Sequence, residues 1–398
     1  MYRTTWLSLA ALHLLGSLSW QAVLAVPNPA PRSDRELEVL KLDEITGTDL
    51  IAATIQRLSR ERNRQQLQEL VQAGVALAKQ KDSPLGYNAA YILFNLCDEI
   101  YDAQNGEILY RFLMEKAKLL QSPIRQFELR QVMMGLAMRT RQFQVAERLG
   151  KELLEMTTGV EHLESRKPLI ALQMVIVYAY LNRLEDAQKI IADLKSIRGL
   201  DDHPLILQRE AWLLRFMGQY KRAAAIYENI LPQVNDNNFA DFLRYQLGSL
   251  YAEMNEIDKA TEQFQILLKK DPDNPSYNND LGYIWVDHDR NLEQAEKMIR
   301  KALEKEPENA AYIDSLAWVY YKKKQFAEAK KLLLQAVSLP DGQHPELYDH
   351  LGDVHMALGE RDEAIAAWKK AIETASPSYR DQQLKREVER KIQKAQAP

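Results

Sequence analysis

Cysteine is almost missing from this 398-residue sequence, which holds only Cys97. A single thiol forms no internal disulfide, and zinc sites made from Cys-x-x-Cys pairs need more cysteines than the chain has. Cys97 lies in an apolar stretch, where a free thiol packs as a small hydrophobic residue. We therefore expect a fold that is held together by packing rather than by covalent links.

The sequence has no large excess of charge of either sign. Its 52 lysine and arginine residues stand against 56 aspartate and glutamate residues, which gives a net charge of −4. Binding to nucleic acid depends on clustered basic side chains that neutralise phosphates, and no segment concentrates them on that scale. Nucleic acid is therefore not predicted as a partner.

The common signatures of catalysis are also absent. The sequence contains no glycine-rich phosphate loop, no Gly-x-Ser-x-Gly and no His-Glu-x-x-His, and no strand pattern is evident. The best metal-binding candidates are His350 and His355, which lie beside carboxylates. They lie five positions apart, so they point to different faces of a helix, and His355 stands at a packing position. We predict no catalytic residue, no metal and no cofactor.

Long apolar runs are missing except at the start of the chain. Residues 1–25 carry Arg3, an apolar stretch over residues 6–20, and Val23-Leu24-Ala25 at the end. This arrangement is typical of a secretory signal peptide, and we predict cleavage before Val26. An uncleaved membrane anchor is the alternative.

The predicted leader sets the expected location of the protein. Residues 26–47 are predicted to be a flexible lead-in, with Ser33 as a helix cap, and no cysteine follows the leader to accept a lipid. No later run approaches the roughly 20 apolar residues that a membrane-spanning helix needs. We expect an exported, soluble protein, periplasmic or secreted, without a stable membrane span after cleavage.

What the sequence does contain is a regular repeat in its C-terminal half. Leu281-Gly282-Tyr283 is followed by Leu316-Ala317-Trp318 and by Leu351-Gly352-Asp353, each starting 35 residues after the one before. A fixed period of this size predicts helical hairpins that stack on one another, because each hairpin is too small to bury its own apolar face. The predicted fold class is all-α.

Each repeat carries small residues where the two helices of a hairpin are expected to come closest. On the first helix these are Gly248, Gly282, Ala317 and Gly352, and on the second helix they are Ala260, Ala295, Ala329 and Ala364. Bulky residues stand beside the second set, namely Phe264, Ile299, Leu333 and Trp368, and prolines close the units at Pro272, Pro307, Pro340 and Pro377. One turn, Asp287 to Asn291, has an extra residue.

This pattern resembles the tetratricopeptide repeat, whose order is Leu-Gly, Tyr, Ala, Phe, Ala and Pro. The unit from Asp241 departs from that order at Leu267, where alanine is usual, and matches it at Leu247, Gly248, Tyr251, Ala260, Phe264 and Pro272. The resemblance is to repeat proteins of an exported bacterial type. It implies a right-handed superhelical solenoid of stacked antiparallel helical hairpins.

The resemblance weakens toward the N-terminus. We predict divergent helical hairpins over residues 48–126 and an array of about seven repeats over residues 127–377, with the best match over 241–377. Residues 378–398 are predicted to form a capping helix and tail, because Leu384, Val388 and Ile392 make a narrow apolar stripe. A partner helix or short coiled coil is the alternative for this last segment.

The resemblance also implies that the first helices line a concave groove. Eight residues are predicted to face this groove: Tyr245, Asn279, Tyr283, Asp314, Trp318, Tyr321, Asp349 and Asp353. Together they make an acidic and aromatic wall, which suits an extended peptide with basic or amide groups. The alternative is that the aromatic residues only pack against the next repeat and that Asp314 and Asp349 cap helices.

One kind of peptide does not fit this wall. Family members that bind the C-terminal carboxylate of chaperones use a clamp of lysine, arginine and asparagine on these helix faces. Here the matching places carry Tyr245, Asn279, Asp280, Asp314 and Asp349. Because aspartates repel a terminal carboxylate, docking of a chaperone tail is not predicted.

The predicted function is that of a non-enzymatic scaffold or adaptor in the cell envelope or secreted space, with a protein or peptide partner in the groove. One alternative is an enzyme or enzyme subunit that acts on envelope glycan or peptide, with Asp314, Asp349 and Asp353 as acid and base. The other is a repeat protein that senses a small molecule.

Overall fold

The computed structural model describes residues 48–60, 64–158, 161–339 and 341–397. The predicted leader over residues 1–25, the lead-in over 26–47 with Ser33, and Pro340 all lie outside the described residues. The described chain divides into two compact units between Val177 and Tyr178. Throughout the described ranges the regular structure is helical and contains no strand, which confirms the all-α prediction.

Among its described residues, the N-terminal unit has seven helices and the start of an eighth. They are α1 (Thr48–Arg60), α2 (Arg64–Ala78), α3 (Tyr87–Glu99), α4 (Ala103–Leu119), α5 (Pro123–Arg139), α6 (Phe143–Met156), the single turn α7 (Glu161–Glu164) and α8 (Lys167–Tyr180). Helix α3 packs on α4, and α5 packs on α6. Cys97 is a buried free thiol in this unit, as predicted, and burial raises its pKa well above the ordinary value.

The C-terminal unit continues as a series of helical hairpins. After α9 (Leu184–Lys195), the hairpins are α10 (Pro204–Phe216) with α11 (Tyr220–Ile230), α12 (Asn237–Glu253) with α13 (Ile257–Lys270), α14 (Pro275–Asp287) with α15 (Leu292–Lys305), α16 (Ala310–Lys322) with α17 (Phe326–Ser338), and α18 (Pro345–Ala357) with α19 (Arg361–Thr374). A short 3-10 turn, Leu231–Gln233, precedes α12, and a last helix, α20 (Tyr379–Gln396), ends the unit.

Local sequence signals explain where these helices begin and turn. The first helices start behind side-chain caps, for example Asn274 for α14, Asn309 for α16 and His344 for α18, and each cap accepts a backbone N–H of the first turn. Between the two helices of a hairpin one residue takes a left-handed conformation, such as Lys324 at φ 60°. The turn from Asp287 to Asn291, which was predicted to hold an extra residue, contains two left-handed residues, Asp289 and Asn291.

The small residues of the repeat allow the close helix contacts that the sequence predicts. A methyl group added at Gly248 would lie 3.0 Å from Phe264 Cε2, and one added at Gly352 would lie 2.3 Å from Trp368 Cδ1. The partner alanines of the second helices are all fully buried: Ala260, Ala295, Ala329 and Ala364. Each hairpin is thus closed by a small residue against a bulky one.

The hairpins of the C-terminal unit stack so that their first helices share one side. Helix α14 packs on α16, and α16 packs on α18, whereas no comparable contact joins successive second helices within the described chain. Each second helix also contacts the first helix of the next hairpin. We call the side of α12, α14, α16 and α18 that carries Tyr245, Tyr283, Trp318 and Asp349 the inner face.

Helix α20 covers the end of the stack. Its predicted apolar stripe lies on the last hairpin, where buried Val388 and half-buried Leu384 and Ile392 join a cluster with Trp368 and Ala371. Ser378 caps its first turn by accepting the backbone N–H of Asp381 at 3.2 Å. Of the helices described, none has the length and apolar character that crossing a membrane requires.

Candidate partner-binding face

The eight residues predicted to line a groove all lie on first helices, but neighbouring groups cover most of their surface. Tyr245, Asn279, Tyr283, Asp314, Trp318 and Asp349 are buried, and Tyr321 and Asp353 are half-buried. Among the described residues, the covering groups come from adjacent first helices, from second helices (for example Phe264 on Tyr245 and Trp368 on Asp353) and from α20. The inner face is therefore a packed set of polar contacts in this structure and not an open wall.

One group of contacts joins α12 to α14. The hydroxyl of Tyr245 donates to Asp280 Oδ2 at 2.5 Å, and Asn279 donates its side-chain amide to Asp280 Oδ1 at 3.0 Å. Burial raises the pKa of Asp280 to about 6, although both hydrogen bonds favour its ionised form. Burial therefore makes Asp280 a weaker acid than an exposed aspartate.

A second group joins α14, α16 and α18. His350 Nδ1 lies 2.8 Å from Asp314 Oδ1, and both side chains are fully buried. The ring of Trp318 stacks between His350 and Tyr321, with ring centroids 4.0 and 4.5 Å apart. Trp318 also donates its indole N–H to Asp287 Oδ1 at 3.2 Å. These contacts make Trp318 a packing residue of the inner face.

The third group brings the C-terminal helix onto α18. Arg380 Nη2 lies 2.9 and 2.8 Å from the two carboxylate oxygens of Glu346, and the hydroxyl of Tyr283 donates to Glu346 Oε1 at 3.0 Å. Burial opposes ionisation of Glu346, but the positive charge of Arg380, the two nearby histidines and the hydrogen bond from Tyr283 together outweigh burial and lower the pKa of Glu346 below its ordinary value. Burial likewise opposes the charge of Arg380, but Glu346 together with other nearby acidic groups raises the pKa of Arg380 above its ordinary value.

Three turns further along α20, a lysine meets two of the predicted acids. Lys391 Nζ lies 2.5 Å from Asp349 Oδ1 and 2.6 Å from Asp353 Oδ1. Asp353 also accepts the indole N–H of Trp368 at 3.2 Å. One cation from α20 thus binds two of the three acids of α18.

The start of α20 also reaches the first hairpin of the repeat series. A methyl group added at Gly218, which lies between α10 and α11, would be 2.4 Å from the Tyr379 ring. Tyr379 meets Tyr220 edge-on at a centroid distance of 6.1 Å. Helix α20 therefore contacts both the hairpin over residues 204–230 and the hairpin over residues 345–374.

A buried ion pair beside this contact was not anticipated from the sequence. Arg215 of α10 binds Glu253 of α12 with an Nη2–Oε1 distance of 2.6 Å, and the two side chains are only 10% and 4% exposed. Arg215 Nη1 also donates to Gln246 Oε1 at 3.3 Å. The pair links successive first helices, as Tyr245 and Asp280 do one hairpin later.

Sequence reasoning also missed Glu346, Arg380 and Lys391. A signal for the last two was present, because Arg380 and Lys391 are eleven residues apart, close to three whole helical turns, and so share one side of α20. The two acids that Lys391 binds are one turn apart on α18, which also places them on one side.

Two further expectations are settled by the geometry. The idea that Asp314 and Asp349 cap helices is wrong, because Asn309 and His344 are the caps and both aspartates lie in the second turn. His355 binds Glu360 Oε2 at 2.6 Å while His350 binds Asp314, so the two histidines do face different ways. No group of three metal-ligating side chains occurs in the part of the chain that the structure describes.

Comparison with known proteins identifies the repeats. The family model described as "Tetratricopeptide repeat-like domain" matches residues 286–395, and the one described as "Tetratricopeptide repeat" matches residues 245–310. No curated protein matches the sequence.

Several solved structures are similar in fold. Yeast Tom70 is 15% identical, with a TM-score of 0.50 over 91% of this chain and 77% of Tom70. A tetratricopeptide repeat protein from Parabacteroides merdae is 15% identical, with a TM-score of 0.48 over 66% of this chain and 98% of that one. TTC0263 from Thermus thermophilus is 22% identical, with a TM-score of 0.41 over 48% of this chain and 98% of that one.

The family matches cover the same hairpins in which the glycine and alanine contacts were found. Tetratricopeptide repeats generally mediate interactions between proteins. With its helical hairpins and the family matches over residues 245–395, this chain contains tetratricopeptide repeats.

Proposed function

We propose that this protein is a non-enzymatic scaffold of the cell envelope or secreted space that binds a polypeptide partner on the inner face. The family supports a protein partner, because tetratricopeptide repeats generally mediate interactions between proteins. The proposed location rests on the leader-like residues 1–25. If that leader is removed, the first residue of the mature protein is Val26, which N-terminal sequencing of the protein from its producing cell would detect.

The observation that carries the proposal is the chemistry of α18. Three of its acids, Glu346, Asp349 and Asp353, point to one side and are matched there by cations of another segment. Buried carboxylates are stable only when a cation or hydrogen-bond donors satisfy them. The inner face is thus suited to basic side chains from a polypeptide.

The same contacts weigh against catalysis by the predicted acids. An acid and base pair must reach its substrate. Asp314 and Asp349 are fully buried, and Lys391 binds both Asp349 and Asp353. The arrangement therefore favours binding over acid–base chemistry at these residues.

Site-specific photocrosslinking in the native compartment tests the proposal. A photoreactive residue is placed at Met356, which lies one turn beyond Asp353 on α18, or at Leu334 on the second helix α17. The two side chains are matched in exposure, at 44% and 47%. We expect one discrete partner to be crosslinked from Met356 and not from Leu334.

Neutralisation of charge provides the control for that experiment. Asp353→Asn should weaken the crosslink from Met356, because the acid side of α18 loses a charge, whereas Glu363→Gln, at an exposed acid of α19, should not. Crosslinking of the partner from Leu334 alone, or equally from both positions, would contradict the inner face as the binding site.

A further inference from the structure

Helix α20 is more basic than the rest of the chain. It carries six basic residues and three acidic ones, while the whole sequence has a net charge of −4. Only two of the six basic residues, Arg380 and Lys391, meet the acids of α18. Their spacing of three turns lets one straight helix reach Glu346 with its start and Asp349 with its later turns.

The contacts of α20 fall into two separate sets. The apolar stripe with Leu384 and Val388 lies on α19, and this part resembles an ordinary end cap. Tyr379, Arg380 and Lys391 instead contact residues that belong to the inner face or to the first hairpin of the series. A cap needs only the first set, because that set already covers the apolar end of the last hairpin.

We infer that the inner face is a receptor for a basic helix and that α20 is its resident occupant. A partner protein binds by presenting a helix with an arginine near its start and a lysine three turns later, in place of Arg380 and Lys391. This inference rests on the proposed function, and it names the class of partner segment that the face accepts.

The burial of the acids explains why the occupant must be basic. Glu346 is 3% exposed and Asp349 is fully buried, so removal of α20 without a replacement would leave two carboxylates without their cations in a poorly solvated place. A neutral or acidic segment would also leave these two carboxylates without cations. Exchange of one basic helix for another keeps the carboxylates paired, so the inner face selects basic helices.

The first turn of α20 is the point at which exchange can begin. Tyr379 is 43% exposed although its ring lies on Gly218, and the Arg380–Glu346 pair is the charged contact that joins this turn to the inner face. An occupant joined to the chain is present at an effective concentration in the millimolar range, which reduces the apparent affinity of any external helix. Weakening the resident contacts should therefore raise that apparent affinity.

A synthetic peptide of residues 376–397 with a fluorescent label is a suitable probe. Its binding is measured by anisotropy to three full-length proteins: the wild type, Arg380→Gln/Lys391→Gln, and the matched control Arg386→Gln/Lys394→Gln. The control removes the same two kinds of charge from exposed positions of the same helix. We expect the first variant to bind the peptide at least about tenfold more tightly than the other two proteins. Equal affinity for all three folded proteins would overturn the inference.

The peptide itself supplies a second comparison that needs no altered protein. With the wild-type chain at high peptide concentration, the parent peptide should bind at least about tenfold more tightly than a peptide carrying Arg380→Gln and Lys391→Gln. A peptide carrying Arg386→Gln and Lys394→Gln should bind like the parent. Equal binding of all three peptides, or no binding of the parent, would overturn the inference even if the protein variant failed to fold.

These outcomes are separable from those of the crosslinking experiment. A partner crosslinked from Met356 together with absent peptide exchange would leave the proposed function standing and remove the resident-helix inference. Peptide exchange without any partner crosslinked from Met356 would support the receptor chemistry and remove the proposed scaffold role.

Discussion

Arg380 and Glu346 form an ion pair that joins the C-terminal helix to the inner face, with Nη2 at 2.8 and 2.9 Å from the two carboxylate oxygens. The pair connects residues 34 positions apart, and Tyr283 from two hairpins earlier donates to the same carboxylate. The inner face and α20 are therefore coupled through a few charged groups, and this coupling leads to measurable expectations.

Loss of Glu346 should destabilise the C-terminal unit. In Glu346→Ala the guanidinium of Arg380 stays largely buried without its anion, and removal of one partner from a buried pair costs about 3 kcal/mol or more. Urea denaturation followed by circular dichroism measures this change. The double variant Glu346→Ala/Arg380→Met should lose less unfolding free energy than the two single variants lose in sum. Strict additivity would show that the two residues are not energetically coupled.

The pKa of Asp280 predicts a specific pH dependence. Its folded-state pKa of about 6 lies above the ordinary value of 3.8, so the folded protein binds a proton there before the unfolded chain does. Lowering the pH from about 7 toward 4 should therefore stabilise the wild type relative to Asp280→Asn. Unfolding free energies at pH 7.5 and pH 5.5 give the comparison, and a difference between the two proteins that stays constant with pH would contradict it.

Alanine at two helical glycines should have opposite effects. Gly352→Ala places a methyl group 2.3 Å from Trp368 Cδ1, and overpacking of this kind costs about 1 to 3 kcal/mol. Gly135 in α5 has no heavy atom within 4 Å of an added methyl group, so Gly135→Ala should be neutral or stabilising by up to about 1 kcal/mol through helix propensity. Thermal denaturation distinguishes the two variants. Equal destabilisation by both would refute the close-approach explanation.

Trp318 should behave as a packing residue. It is buried between His350 and Tyr321, and truncation of such a ring to alanine costs about 3 to 5 kcal/mol. Met356→Ala, at an exposed side chain of α18, should change stability by less than about 0.5 kcal/mol. A stability of Trp318→Ala close to that of the wild type would show that the stack contributes little.

Much of the fold follows from short-range patterns in the sequence. Gly248 facing Phe264 and Gly352 facing Trp368 recur at a fixed spacing, and such pairs are set within a single hairpin. The extra residue in the turn from Asp287 to Asn291 could also be predicted, because this turn lies within a single hairpin. These features depend on helix periodicity and turn chemistry, which are local properties.

The candidate site was predicted less completely because its contacts are long-range. The eight inner-face positions could be placed on first helices, yet Tyr283 meets Glu346 across 63 residues and Lys391 meets Asp349 across 42. Such pairings depend on how tightly the stack curves and on where α20 lies. A repeat pattern contains neither quantity, so burial of Asp314 and Asp349 could not be read from spacing alone.

Hydrogen exchange in α20 tests most directly the claim that the inner face holds this helix through Arg380 and Lys391. The backbone amides of residues 380–391 are compared in the full-length wild type, in Arg380→Gln/Lys391→Gln and in the control Arg386→Gln/Lys394→Gln. The contacts described above predict faster exchange in the first variant only, with amides of α19 unchanged in all three proteins. Equal protection of α20 in all three proteins would contradict the account.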